Sequence, residues 1–130
     1  MEIDKGVVES IVAHARAAAP AECCGVLLGA GGRIVDALRT RNLSRSPNRF
    51  LIDPQDHIRA LRDGRGRGLA VIGFYHSHPH SPADPSDADR AEVTYPDHLH
   101  LIVGLMGERA DVRLFRWRDD SFQEAPLAVY

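Results

Sequence analysis

The chain has 130 residues, 44% of them hydrophobic, which is enough to bury one core and is the size of one ordinary domain. Its formal net charge is −2, with acids and bases spread along the sequence, so neither a phosphate-binding face nor a polybasic membrane tail is present. No basic and apolar leader opens the sequence and no apolar run is long enough to span a bilayer, so a soluble cytoplasmic protein is expected, with neither nucleic acid nor membrane as partner.

In chain order, Val7, Val8, Ile11, Val12 and Ala15 repeat at helical spacing, which predicts an amphipathic helix over residues 4–19 that Pro20 stops. Residues 23–29 and 34–39 read as a hairpin around a Gly-rich turn at 29–32, its first strand apolar throughout and hence central. That strand contains the only cysteines, Cys23 and Cys24, whose adjacency disfavours a mutual disulfide and fits core packing in a reducing compartment. A polar loop over 41–49 leads to a short strand at 50–52, and Asp53-Pro54 caps a helix to about residue 63, where glycines end it. The β-branched and aromatic run 69–76 predicts a buried strand with His76 and His78 at its exit. After a loop at 79–85, Ser86 starts a short helix to about residue 93, followed by strands at 98–104, 111–117 and 122–129.

The chemistry concentrates between residues 76 and 89. His-x-His on extended backbone turns both imidazoles of His76 and His78 to one side of the chain. Asp89, in the first turn of the next helix, can close on them, and zinc held by two histidines and one carboxylate keeps a fourth tetrahedral position for water. Such a site still needs a general base, and Glu22, opening the apolar strand, is a carboxylate whose burial is costly unless it is used. Ser86 can donate to a tetrahedral oxyanion from the other side.

Ala21-Glu22-Cys23-Cys24-Gly25, then His76-Ser77-His78-Pro79, a spacer, and Ser86-Asp87-Ala88-Asp89 together resemble the JAMM (MPN-plus) metalloprotease family. The likeness extends through Asn42-Leu43, Ser46-Pro47, residues 50–54, residues 71–76 and Tyr95-Pro96, so it covers nearly the whole chain, without departure at the functional positions. It implies a single α/β MPN domain over residues 1–130, a curved mixed sheet flanked by helices, related to the cytidine-deaminase-like architecture. It further implies zinc on His76, His78 and Asp89, with Glu22 and Ser86 catalytic. The implied activity is peptide or isopeptide hydrolysis, and the small bacterial members suggest a ubiquitin-like sulfur-carrier protein as substrate.

Simpler readings stand beside these. Ser86 and Asp89 also fit a helix N-cap and its N3 acid, and both roles are compatible. His80, Asp84 and Asp87 are weaker alternative ligands, His98-Leu99-His100 lacks a following carboxylate and reads as strand-edge structure, and His14 and His57 read as surface residues on helices. The alternative function is a zinc-binding but non-hydrolytic interaction module. A nucleobase deaminase is disfavoured because its His-x-Glu and Pro-Cys-x-x-Cys signatures are absent, and mild acidity disfavours a DNA-repair role.

Overall fold

The computed structural model describes residues 1–91 and 93–130. Among them, eight strands form one mixed sheet: β1 (Glu2–Ile3), β2 (Cys24–Ala30), β3 (Arg33–Thr40), β4 (Ala70–His78), β5 (Leu99–Gly104), β6 (Asp111–Arg118), β7 (Ser121–Ala125) and β8 (Ala128–Val129). The helices among them are α1 (Lys5–Ala18), α2 (Pro54–Gly66) and the short α3 (Asp87–Ala91). The sheet order is β7-β6-β5-β4-β2-β3-β1-β8, with β4–β5, β1–β3 and β1–β8 parallel and the other pairs antiparallel. β7 and β8 lie at opposite edges yet are only two residues apart in the chain, so the sheet must curl until its edges approach each other.

Strand alternation divides the core into two faces. Leu27 of β2 and Tyr75 of β4 face α1, whose buried residues Val7, Ile11 and Ala15 recur every four positions. Val26, Leu28 and Phe74 face the other way, onto Ala60 of α2. Gly64 lets α2 sit close: a Cβ there would meet the Leu69 carbonyl oxygen at 3.0 Å and Leu28 Cδ2 at 3.2 Å. His76 and His78 share parity with Phe74, so the alternation carries them to the α2 face.

Several boundaries differ from expectation. β1 is an added strand, paired with β3 and β8, too short to leave a periodic signal. The strand expected at 50–52 is a single antiparallel bridge, Asn42 to Ile52. α2 continues through Gly64 because packing outweighs the low helix propensity of glycine. β4 runs on through His78 because β5 pairs with it to that residue. The expected strand 122–129 is two strands on opposite edges, divided at Pro126, which has no N–H for a ladder. The end expected for the helix after Ser86 involves Glu92, outside the described residues.

Candidate active site

β4 places His76 and His78 two residues apart at its C-terminal end, each 4% exposed. Their Nε2 atoms lie 3.2 Å apart. Asp89, in the first turn of α3, brings Oδ1 to 3.1 Å from His76 Nε2 and Oδ2 to 3.0 Å from His78 Nε2. A tetrahedral ion with bonds of about 2.0–2.1 Å spaces its ligands about 3.3 Å apart, a spacing comparable to that between the two Nε2 atoms and from each of them to one Asp89 oxygen. Among the described residues these three form a group able to hold a metal ion.

The surrounding bonds fix the tautomer of His78. His78 Nδ1–H donates to the Pro82 carbonyl at 2.9 Å, which leaves the Nε2 lone pair for a metal. The Pro82 carbonyl is positioned by close packing of residues 81–83 on β5: a Cβ at Gly104 would approach Ala83 N to 2.6 Å and Pro82 C to 2.8 Å. Ala83 is itself fully buried with Ile102 and Phe115. The Phe50 ring stacks on His76 with centroids 4.3 Å apart, covering one face of that ligand.

Ser86 and Asp89 form a reciprocal cap, Ser86 N–H donating to Asp89 Oδ2 at 2.9 Å and Asp89 N–H to Ser86 Oγ at 3.1 Å. Burial works to raise the Asp89 pKa, but the His76 and His78 hydrogen bonds, the His76 charge and the Ser86 amide outweigh it and hold the carboxyl well below its usual range. Burial pulls His76 down, against the opposing pull of Asp89. Burial also acts to lower His78, but its bonds to Asp89 and Pro82, with the charges of Asp89 and Glu22, raise it.

Glu22 is 7% exposed, two residues ahead of β2, and its charge acts on His78. The adjoining Cys23 is fastened to β4, its N–H donating to Ser77 Oγ at 2.8 Å and its carbonyl accepting from Ser77 N–H at 3.2 Å. The weaker candidates Asp84 and Asp87 pair instead with Arg113 and Arg90.

Residues not expected at the site line a groove beside it. A cavity of about 330 Å³ runs between Phe50, Ile52, Ile58, Phe74, Tyr95 and His100, so Phe50 is a wall of the groove and a cover for His76 at once. His57 is half-buried on the surface helix α2, and His100 belongs to an inner strand rather than a sheet edge. His57 packs edge-on to Phe74 and Tyr95, and His100 lies on the central strand β5 and donates from Nε2 to the Tyr95 carbonyl at 3.1 Å. His14 is half-buried as well, its Nδ1 sharing a hydrogen bond with the Tyr75 hydroxyl at 2.7 Å. The interrupted apolar signal at 50–58 concealed the groove, because its walls come from separate segments.

The sequence model for prokaryotic homologs of the JAB domain matches residues 4–119. The chain belongs to the prokaryotic JAB family. Relatives of this JAB chain include a desampylase from Haloferax volcanii, 35% identical over 128 residues, which cover 93% of this chain and 90% of that one. A CysO-cysteine peptidase from Mycobacterium tuberculosis is 32% identical over 126 residues, covering 95% and 86%. The solution structure of a protein from Desulfitobacterium hafniense superposes with a TM-score of 0.90 at 32% identity, over 100% of this chain and 93% of that one. A JAB1/MPN domain protein from Archaeoglobus fulgidus, at TM-score 0.67 and 22% identity over 99% and 98%, shares the fold. The single curved MPN-type sheet is therefore the family architecture, and the two curated relatives named are a desampylase and a peptidase.

Proposed function

We propose that this JAB domain is a zinc peptidase that hydrolyses an amide bond at the C-terminus of a ubiquitin-like sulfur-carrier protein. The observation that carries the reading is the donor set: two imidazole Nε2 atoms and one carboxylate, mutually 3.0 to 3.2 Å apart, with the His78 tautomer fixed by Pro82. Three protein ligands of this chemistry suit zinc and leave its fourth position open. When bound, zinc supplies a Lewis acid that polarises a carbonyl and makes water acidic enough to react near pH 7.

The chain's own residues do the rest. Glu22 takes a proton from the attacking water and returns it to the departing amine nitrogen as the C–N bond breaks. Ser86, whose Oγ already accepts from Asp89 N–H, keeps its hydroxyl proton to donate to the oxyanion of the tetrahedral intermediate. The apolar groove beside Phe50 receives the extended tail ahead of the scissile bond. Similarity along most of the chain to a desampylase and to a CysO-cysteine peptidase supports an amide at the end of a small carrier protein.

Elemental analysis of the native protein and of a His76→Ala/His78→Ala variant tests the metal, and a carrier protein with a C-terminal extension tests the activity. About one zinc per chain, lost in the double variant, and release of the extension are expected. Zinc without hydrolysis, in a protein indifferent to Glu22→Gln, leaves the interaction-module reading instead. No zinc under zinc-replete conditions sinks both.

A further inference from the structure

We infer that Asn42 is a positioning residue for the hydrolysis, a single side chain that sets the backbone of Glu22 and the loop carrying Phe50 in one register. The inference rests on the reading of Glu22 as general base. Its basis is an amide whose hydrogen-bonding capacity is fully used. A side-chain amide has two donor hydrogens and two acceptor lone pairs. Asn42 Nδ2 donates to the Glu22 carbonyl at 3.1 Å and to the Arg49 carbonyl at 3.1 Å. Its Oδ1 accepts from Ser44 N–H and from Leu51 N–H, each at 2.9 Å. Four bonds thus join three places: the residue ahead of β2, the near limb of the 41–53 loop, and its far limb next to Phe50.

Backbone pairing also joins the two limbs of the loop. Its limbs touch through the bridge at Asn42 and Ile52, through Leu43 N–H to the Leu51 carbonyl at 2.8 Å and through Asp53 N–H to the Arg41 carbonyl at 3.1 Å. Leu43 and Leu51 are about half exposed, whereas Ile52 packs on the core beside Phe74. Arg49 and Leu51, both bonded to Asn42, flank Phe50, which covers His76. The same amide therefore ties backbone on both sides of the site: that of Glu22, whose carboxylate must meet the water, and that on either side of Phe50, whose ring covers His76. The Ser44 hydroxyl, by contrast, accepts from Ser46 N–H within the same limb. Displacement of a catalytic group by about 1 Å costs up to about 100-fold in rate, so a tie of this kind has kinetic consequences without touching substrate.

Asn42→Asp is the sharper test because it keeps the shape and the two acceptor contacts to Ser44 and Leu51 but loses both donations. Asn42→Ala removes all four. Both variants are assayed for zinc content, thermal transition, and kcat and KM on a carrier protein with a C-terminal extension. Zinc content and KM near those of the native protein are expected, with kcat lowered between about 10- and 100-fold. In a double-mutant cycle with Glu22→Asp, a carboxylate already displaced, Asn42→Asp costs less than it does alone if it acts through Glu22. An unchanged kcat in Asn42→Asp, or equal losses in both backgrounds, overturns the inference. Failure of the underlying reading is visible separately, as full turnover by Glu22→Gln with Asn42 intact.

Discussion

Asp89 illustrates how one side chain can serve local structure and chemistry together. Its carboxylate closes the helix cap with Ser86 and reaches both histidines, so the charge that stabilises α3 is also the charge a metal would meet. Asp89→Asn keeps the outline but loses the anion, and a chelator-competition titration should find zinc held at least about 10-fold more weakly. Glu22→Gln should retain the metal and lose hydrolysis by about 100-fold or more, since proton transfer by a placed base contributes on that scale. The two roles of Ser86 separate by substitution. Ser86→Ala removes both hydroxyl and cap, at about 1 kcal/mol of stability, whereas Ser86→Gly removes the hydroxyl at only a few tenths. Equal loss of kcat in the two variants, with unequal thermal denaturation, is the result expected of an oxyanion donor.

At the scale of elements, the site depends on how tightly the 79–85 loop lies against β5. Gly104 has no side chain to hold that loop off, and the loop returns the Pro82 carbonyl to His78 Nδ1. Gly104→Ala forces Ala83 and Pro82 outward, and zinc affinity should fall about 10- to 100-fold while Gly107→Ala, made in more open surroundings, has no such effect. Circular dichroism of both variants checks that the fold persists. The His-x-His spacing, the Ser-x-x-Asp spacing and the β4 run were legible before folding because alternation and capping are local rules. The walls of the groove were not, because Phe50, Phe74 and Tyr95 meet only after β4 and the flanking loops pack.

For the whole molecule, two faces of core hold the curled sheet, and neither includes His76, His78 or Asp89, so chelation should lower the thermal midpoint without unfolding the chain. Far-ultraviolet circular dichroism before and after chelation tests this, and collapse to an unfolded spectrum would refute it. Acid should destabilise the fold through His14, whose Nδ1 is hydrogen-bonded to the Tyr75 hydroxyl and so ties α1 to β4. Burial, helped by Arg39, holds the His14 pKa below its ordinary value near 6.5, so the unfolded chain binds the proton more readily. Its contribution is full above about pH 6.5 and declines as pH falls from there through the folded-state pKa. His14→Gln, which can still accept from Tyr75, should flatten part of that decline in a denaturation series across pH 5–7.

The sequence by itself determined the family resemblance, the single α/β domain, most strand and helix positions and that His76, His78 and Asp89 could gather into one group, because periodicity, capping and spacing act over a few residues. Only the tertiary structure decided that residues 121–125 and 128–129 lie on opposite edges of the sheet, that Asn42 links Glu22 to the Phe50 loop, and that His14 and His57 are packed. These features depend on contacts between segments far apart in the chain. Sheet curvature and close backbone approach create such contacts, and neither is encoded in any one window of residues.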